Sequence, residues 1–390
     1  MIDNDRLSGV PYVFLMAQWS RERTALLPII ERVLQSGKYI GGQQVETFEG
    51  HAARLCQTKH CVALNSGTDA LVCALVSLGV KRGDEVITPP NSFVASTAAI
   101  VHIGAKPVFV DVLPDQNIDP SRIEAAITSR TRAIMPVHLT GRMARMDQIK
   151  AIADRYEIPI LEDAAQAIGS KYLGVPSGKW GRVGCFSTHP LKNLNGCGDG
   201  GFLVTDDDSI AREVRAMRTH GFMQHSDGSI DKYVIERFGY VSRMDALQAA
   251  ILSFRTTELD WVIAQRQRNA ELYTQLLDPG TVFVPKQVAG EFNSYHTFVI
   301  QIDHRDELRE HLRKVNVETG IHYPIPIHLQ PASRNFGFSK GSFPVTELQA
   351  DRILTLPIHQ FLTQDQVSMV GEQVNKFLKV PHSILSRPTR

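Results

Sequence analysis

Apolar residues follow different spacings in different parts of this 390-residue chain, and each spacing predicts a type of element. Near the N-terminus they recur every three or four positions, which is typical of amphipathic helices. We expect one helix that ends at Ser36-Gly37 and a second over residues 45–55. The apolar face of the first helix is formed by Leu26, Ile29, Ile30, Val33 and Leu34.

From Cys61 onward, short runs rich in β-branched residues alternate with amphipathic segments. This alternation predicts an α/β fold with a mostly parallel central sheet and helices on both faces. Ligands of such sheets bind beyond the carboxyl ends of the strands, so the residues at those ends are the candidates for function. The predicted strands are residues 61–64, 85–88, 107–112, 133–137, 158–162, 183–187 and 202–205.

The helical spacing is longest over residues 244–277, where we expect one long helix. A chain of this length exceeds what one hydrophobic core usually holds, so two domains are expected. We place their boundary inside this helix. Residues 1–255 would form a large domain with an N-terminal arm, and residues 256–390 a smaller C-terminal α+β domain.

The charge balance excludes some classes of partner, because 42 basic side chains face 41 acidic ones. Such a chain has no overall field to attract nucleic acid or a membrane surface, so we expect the partner to be a small molecule or another protein chain. The five cysteines lack zinc-ligand spacing, which predicts reduced thiols and no metal site. The N-terminus lacks the pattern of a signal peptide, and we expect a cytoplasmic protein.

The stretch 185–201 begins as an apolar strand and then presents a single lysine, Lys192, before a glycine-rich run. A lysine at the end of a buried strand, with close backbone access beside it, suits a covalent partner for a carbonyl group. The alternative is a solvated lysine in a loop, and this stretch alone does not decide between the two.

Other strand ends carry groups that would complete a site around Lys192. Ser66, Gly67 and Thr68 open a helix, where free N–H groups bind anions, although Ser66 or Thr68 could serve only as a helix cap. Phe93 could stack on a planar ring or lie in the core. Asp163 could pair with a protonated ring nitrogen or cap a helix. An anion site, a stacking ring, a buried acid and a lysine are together what pyridoxal 5′-phosphate (PLP) requires.

Several motifs resemble the sugar aminotransferase (DegT-type) family of fold-type I PLP enzymes, over about residues 35–375. The resemblance implies that fold, with a homodimer whose subunits share their active sites. The motifs are Gly41-Gly42, Val45-Glu-Thr-Phe-Glu49, Asn65-Ser-Gly-Thr-Asp-Ala-Leu71, Glu162-Asp-Ala-Ala-Gln-Ala167, Lys192-Asn-Leu, Gly198-Asp-Gly-Gly, Arg243-Met-Asp-Ala-Leu-Gln-Ala-Ala250 and His322-Tyr-Pro-Ile-Pro-Ile-His328.

The resemblance also implies a role for each site residue. Lys192 would form the Schiff base and move protons, and Asp163 would pair with the pyridine nitrogen. Gln166 would contact the ring hydroxyl. The ring would be stacked by Phe93. The phosphate would be held by Ser66, Gly67, Thr68 and Ser187, and the sugar would be contacted by His189, His322, Tyr323 and His328.

The implied reaction has two stages. An amino acid, usually L-glutamate, converts the cofactor to pyridoxamine 5′-phosphate, and a keto sugar, usually nucleotide-linked, then takes the amino group. Such reactions serve amino-sugar biosynthesis for lipopolysaccharides or antibiotics. Asp199, in Gly198-Asp-Gly-Gly, favours amination at C3 over C4.

One departure from the family pattern concerns the phosphate. Relatives commonly have Asn where this chain has Val241, and that Asn reaches the phosphate of the neighbouring subunit. Valine cannot donate a hydrogen bond, so the contact is either lost or replaced by Ser242 or Arg243. Two alternatives to the transaminase are a PLP-dependent sugar dehydratase, in which His replaces the lysine, and a non-catalytic regulatory protein of the same fold.

Overall fold

The computed structural model describes residues 9–224 and 230–379. Strands and helices alternate between residues 60 and 163, as the apolar spacing predicts from Cys61 onward. The α-helices within the described ranges are α1 (Leu15–Ser36), α2 (Gln43–Cys56), α3 (Gly67–Ser77), α4 (Val94–His102), α5 (Ile123–Ala126), α6 (Met146–Arg155), α7 (Asp208–Met217), α8 (Ala246–Leu276), α9 (Arg305–Lys314), α10 (Pro344–Arg352) and α11 (Gln364–Leu378).

The strands of the described ranges form one large sheet and several small ones. They are β1 (His60–Leu64), β2 (Glu85–Thr88), β3 (Lys106–Phe109), β4 (Thr131–Ile134), β5 (Leu161–Asp163), β6 (Lys171–Tyr172), β7 (Val175–Pro176), β8 (Val183–Ser187), β9 (Gly201–Thr205), β10 (Phe222–Gln224), β11 (Ile230–Ile235), β12 (Glu291–Phe292), β13 (Phe298–Gln301) and β14 (Ile353–Leu356).

The large sheet has the strand order β3-β2-β4-β5-β8-β9-β1, because the bridges Ile134–Ile160 and Val137–Asp163 join its two halves. Strands β2, β3 and β4 are parallel, as are β5 and β8. β9 runs antiparallel to both of its neighbours. A parallel return needs a crossover, usually a helix, and residues 188–200 contain no helix. The predicted mostly parallel α/β sheet is confirmed.

Helix α8 packs into both halves of the molecule. Its residues Leu259 and Ile263 belong to a core with α2 and the large sheet. Further along, Ala270 and Tyr273 belong to a second core, formed with the antiparallel strand pair β13–β14 and with α9 and α11. The boundary predicted near residue 255 lies within α8 and remains a prediction.

The N-terminal helix ends as its sequence predicts. Gly37 follows α1 with φ of 64°, a left-handed conformation that glycine adopts without steric cost, and its N–H bonds to the Leu34 carbonyl. Of the helices in the described ranges, none has the length and apolar content needed to cross a lipid bilayer.

Candidate active site

A cavity of about 430 Å³ lies beyond the carboxyl ends of β5 and β8 and brings together residues from distant parts of the chain. This volume is within the usual range for small-molecule sites. Eleven of the twelve predicted site residues line it, namely Ser66, Gly67, Thr68, Phe93, Asp163, Gln166, Ser187, His189, Lys192, His322 and Tyr323.

Lys192 lies in the loop that follows β8. Its backbone N–H donates to the His189 carbonyl at 2.8 Å, and the neighbouring Asn193 donates through Nδ2 to the Ser294 carbonyl at 2.8 Å. Burial lowers the pKa of Lys192 to about 8, although the charge of Asp163 acts in the opposite direction. The amine is therefore more often neutral, and more nucleophilic, than that of an exposed lysine.

Asp163 ends β5, and 4% of the residue is exposed. Ser96 Oγ donates to its Oδ2 at 2.6 Å, and the N–H of Ala165 donates to its Oδ1 at 3.2 Å. Burial raises the pKa of this carboxyl group. A protonated ring nitrogen would supply the positive charge that a buried carboxylate requires.

The predicted anion site lies at the start of α3. Ser66 Oγ accepts from the N–H of Asp69 at 3.0 Å, so the alternative role of Ser66 as a helix cap is confirmed. The first N–H groups of a helix have no acceptor within it. Gly67 packs closely on Ser187, because a Cβ at this glycine would lie 2.9 Å from Ser187 Cβ. Thr68 completes a cradle suited to phosphate.

Gln166 connects two sides of the cavity. Its Oε1 accepts from the N–H of Thr140 at 2.8 Å, and its Nε2 donates to Tyr323 Oη at 3.3 Å. Burial raises the pKa of Tyr323 to about 12. The ring of Phe93 lies 5.9 Å from that of Tyr323, centroid to centroid, and is half-exposed at the rim of the cavity.

Two residues that the sequence analysis did not single out also contribute to the cavity. Ser96 lies three residues after Phe93 in the sequence, and its contact with Asp163 depends on the fold. His296 precedes β13 and comes from the second half of the chain. Burial and the positive charge of Lys192 depress the pKa of His296 far below its usual range, so its imidazole is neutral.

The predicted substrate histidines occupy different environments. His322 lines the cavity, its Nδ1 lies 2.8 Å from Thr355 Oγ1, and burial lowers its pKa to about 4. His328 is not brought into the cavity. It is 2% exposed, with Nε2 3.0 Å from Glu347 Oε1 and its ring packed edge-on against Phe343.

The departure at Val241 has a local consequence. Val241 is exposed, whereas the neighbouring Ser242 is fully buried and its Oγ donates to Asn65 Oδ1 at 3.0 Å. Ser242 is therefore engaged within its own chain. We therefore expect either that Arg243 replaces the phosphate contact or that the contact is lost.

These groups fit PLP. Lys192 can bind an aldehyde, Asp163 can pair with a protonated ring nitrogen, and the start of α3 can hold a phosphate. Within residues 9–224 and 230–379, no group of three or more His, Cys, Asp or Glu side chains is arranged to hold a metal ion.

Two known proteins are similar to this one over nearly the whole chain. A 40% identical protein from Geobacillus stearothermophilus is named a pleiotropic regulatory protein; the match covers 95% of this chain and 99% of the relative. A Streptomyces venezuelae protein, also 40% identical, is named dTDP-3-amino-3,4,6-trideoxy-alpha-D-glucose transaminase; here the match covers 94% of this chain and 96% of the relative.

Two solved structures are similar over nearly the whole chain. DesV from S. venezuelae, in complex with a ketimine intermediate, has a TM-score of 0.91 at 39% identity and covers 96% of this chain and 99% of its own. NtdA from Bacillus subtilis, with bound pyridoxamine phosphate, has a TM-score of 0.86 at 32% identity and covers 96% and 86%.

The profile of the DegT/DnrJ/EryC1/StrS aminotransferase family matches residues 21–375. This match agrees with the fold, the cavity and the resemblance drawn from the motifs. The chain therefore belongs to the DegT/DnrJ/EryC1/StrS aminotransferase family and is a PLP-dependent sugar aminotransferase.

Proposed function

We propose that this enzyme moves an amino group from L-glutamate to C3 of a nucleotide-linked keto sugar. The observation that carries the proposal is the meeting of Lys192, Asp163 and Gln166 in one cavity beside the anion site of α3. The name of the S. venezuelae relative, a dTDP-3-amino-sugar transaminase, supports a nucleotide-linked substrate and amination at C3.

In this proposal each residue has a physical task. PLP, when bound, supplies a conjugated ring that takes up electron density from the carbon that loses its proton. Asp163 keeps a proton on the ring nitrogen through its negative charge. Lys192 holds the cofactor and, when released, accepts and returns the substrate proton at Nζ. Gly67, Thr68 and Ser187 hold the phosphate, and Gln166 and Phe93 orient the ring.

The amino donor can be tested on the purified, PLP-loaded protein. L-Glutamate should abolish the visible absorption of the loaded enzyme and release one equivalent of 2-oxoglutarate. D-Glutamate and L-lysine serve as controls. A regulatory protein without turnover, as the name of the G. stearothermophilus relative could suggest, would give no change with any amino donor, and that result would contradict the proposal.

The role of Lys192 has a direct chemical test. Borohydride reduction of the loaded enzyme followed by peptide mapping should place the label on Lys192. Lys171 and Lys179 lie nearby in the sequence but not on the cavity wall, so they are internal controls. A label on either of them would remove the basis for assigning Lys192.

The position of amination rests on Asp199, which lines the cavity close in sequence to Lys192. A panel of dTDP- and UDP-linked sugars with the keto group at C3 or C4 would test it. We expect turnover of the 3-keto members, with kcat/KM at least about tenfold above that of 4-keto members of the same nucleotide. Preference for 4-keto members would overturn the C3 assignment and leave the transaminase intact.

We also propose a homodimer with shared active sites. Large apolar side chains are exposed at the mouth of the cavity and on the segment around Val241, where a neighbouring chain could cover them. They include Phe93, Val94, Leu191, Tyr233, Phe238, Tyr240 and Val241. Light scattering should give twice the monomer mass, and a monomer with full activity would contradict the proposal.

A further inference from the structure

A buried polar network outside the cavity contacts the loop that carries Lys192. Four side chains form it, each less than a tenth exposed, and none of them lines the cavity. Two come from α1, one from α8 and one from the loop itself; they are Gln18, Glu22, Arg255 and Asn195.

Arg255 is the centre of this network. Its Nε and Nη2 donate to Glu22 Oε2 at 2.9 and 2.7 Å, and its Nη1 donates to the Asn195 carbonyl at 2.6 Å. Burying an ion pair costs desolvation that often cancels its attraction, so such a pair adds little to stability. It does fix geometry, because the guanidinium presents its donors in a rigid plane.

Asn195 transmits this geometry to the loop. Its side-chain amide pairs reciprocally with that of Gln18, at 2.9 and 3.0 Å. Its Nδ2 also donates to the Pro190 carbonyl at 2.8 Å, which closes the loop across Lys192. Gln18 in turn donates to Glu22 Oε1 at 3.0 Å, so each of the four side chains bonds to another member of the network.

We propose that Glu22 and Arg255 are positioning residues that set the location of the Lys192 amine through Asn195. The loop has no helix or strand of its own between Ser187 and Gly201, so its conformation depends on such contacts. The first helix of the chain would thus help to align the reactive lysine. The inference rests on the proposed role of Lys192 as the lysine that binds the cofactor.

The variant Arg255→Lys tests the inference, because it keeps the charge but cannot bond to Glu22 and Asn195 in one plane. We expect the loaded enzyme to lose PLP roughly tenfold faster on dialysis. We also expect kcat to fall while KM for the sugar stays unchanged, since the network does not touch the cavity. Glu22→Gln should act in the same direction.

The chain offers a matched control that joins the same two helices. Arg21 of α1 lies 2.8 Å from Glu258 of α8, on the surface and away from the loop. Glu258→Gln should leave PLP loss and kcat at the wild-type values. An equal effect of Glu258→Gln and Arg255→Lys would show that general packing of α1 on α8 is responsible, and would overturn the inference.

The experiments distinguish a failure of this inference from a failure of the proposed role of Lys192. If Arg255→Lys lowers the melting temperature but leaves PLP loss and kcat unchanged, the network is structural and the inference is wrong. If the wild-type borohydride label is not on Lys192, the proposed role of the lysine fails instead. Should Arg255→Lys not fold, Gln18→Met, which nearly conserves volume and removes the bonds to Asn195, is expected to give the same faster PLP loss.

Discussion

Lys192 and Asp163 face the same cavity, and burial moves their pKa values in opposite directions. Burial disfavours the charged form of each, so it lowers the pKa of the amine to about 8 and raises that of the carboxyl group. Their mutual attraction opposes both shifts. The lysine therefore has a substantial neutral fraction near neutral pH, which a nucleophile requires.

A pH dependence follows for the capture of PLP by the apo-enzyme. The neutral amine reacts, so the rate should rise as pH increases through about 8 and then level off. An ordinary lysine would still be gaining reactivity near 10.5. Stopped-flow absorbance at a series of pH values measures this.

The control for this prediction is Asp163→Asn. It removes the charge that raises the pKa of Lys192, so the half-maximal rate should move to lower pH. A half-maximal rate near 10.5 in the wild type would show that burial does not depress the pKa of the lysine.

Asp163→Asn should also nearly abolish turnover. The amide cannot keep a proton on the ring nitrogen by charge, so we expect kcat to fall at least roughly a hundredfold. The fold should survive, because the amide oxygen can still accept from the N–H of Ala165 and the amide NH2 group can donate to Ser96 Oγ. Steady-state rates and thermal unfolding measure the two effects, and wild-type activity would exclude this role.

At the residue scale, the sequence predicts which site residues lie at or after strand ends, because the carboxyl ends of parallel strands meet at one edge of the sheet. Lys192, Asp163 and Ser66 belong to this class. His296 does not, since it reaches the cavity from the second half of the chain. His328 shares a motif with His322, yet its ring packs against Phe343, and no pattern in the motif distinguishes the two environments.

At the scale of elements, the start of α3 is the proposed binding site of the cofactor phosphate. Helix N-termini bind anions through N–H groups and the helix dipole, and Thr68 adds a hydroxyl group there. Thr68→Val keeps the shape of the side chain and removes the hydroxyl. We expect weaker binding of PLP by about 1–3 kcal/mol, because a hydrogen bond to a charged group is lost.

Pyridoxal, which lacks the phosphate, gives this prediction its control. Fluorescence titration of apo-enzyme should show weaker PLP binding in Thr68→Val and unchanged pyridoxal binding. An equal loss for both ligands would mean that Thr68 acts on the ring or on the fold rather than on the phosphate.

The bounds of a strand were predicted correctly where a single apolar run in the sequence corresponds to a single strand. Residues 85–88 and 183–187 are predicted at the observed bounds of β2 and β8. The direction of β9 was not predicted, because its apolar run is the same in either direction. Short strands such as β6 and β7 have two residues each, too few for a spacing to appear.

At the scale of the whole molecule, the cavity exists because two halves of the chain meet. Arg142, from the first half, lies buried and donates through Nη1 to Glu291 Oε2 at 2.7 Å and to the Lys286 carbonyl at 3.0 Å. Its Nη2 donates to the Pro285 carbonyl at 3.0 Å. No sequence spacing predicts a contact between residues so far apart, so only the resemblance supplied the expectation that His322 and Tyr323, from the second half, belong to the same site as Lys192.

Arg142→Met should destabilise the apo-protein by about 3–5 kcal/mol, because it leaves Glu291 buried without its main partner. The double variant Arg142→Met/Glu291→Leu should recover much of this loss, since no charge is then left unpaired. The exposed pair Arg155–Glu124, at 3.0 Å, is the control, and Arg155→Met should leave the free energy of unfolding nearly unchanged, because water screens an exposed pair. Urea unfolding measures all three. If the double variant is as unstable as the sum of the single variants Arg142→Met and Glu291→Leu, the two side chains are not coupled, and this ion pair does not join the two halves.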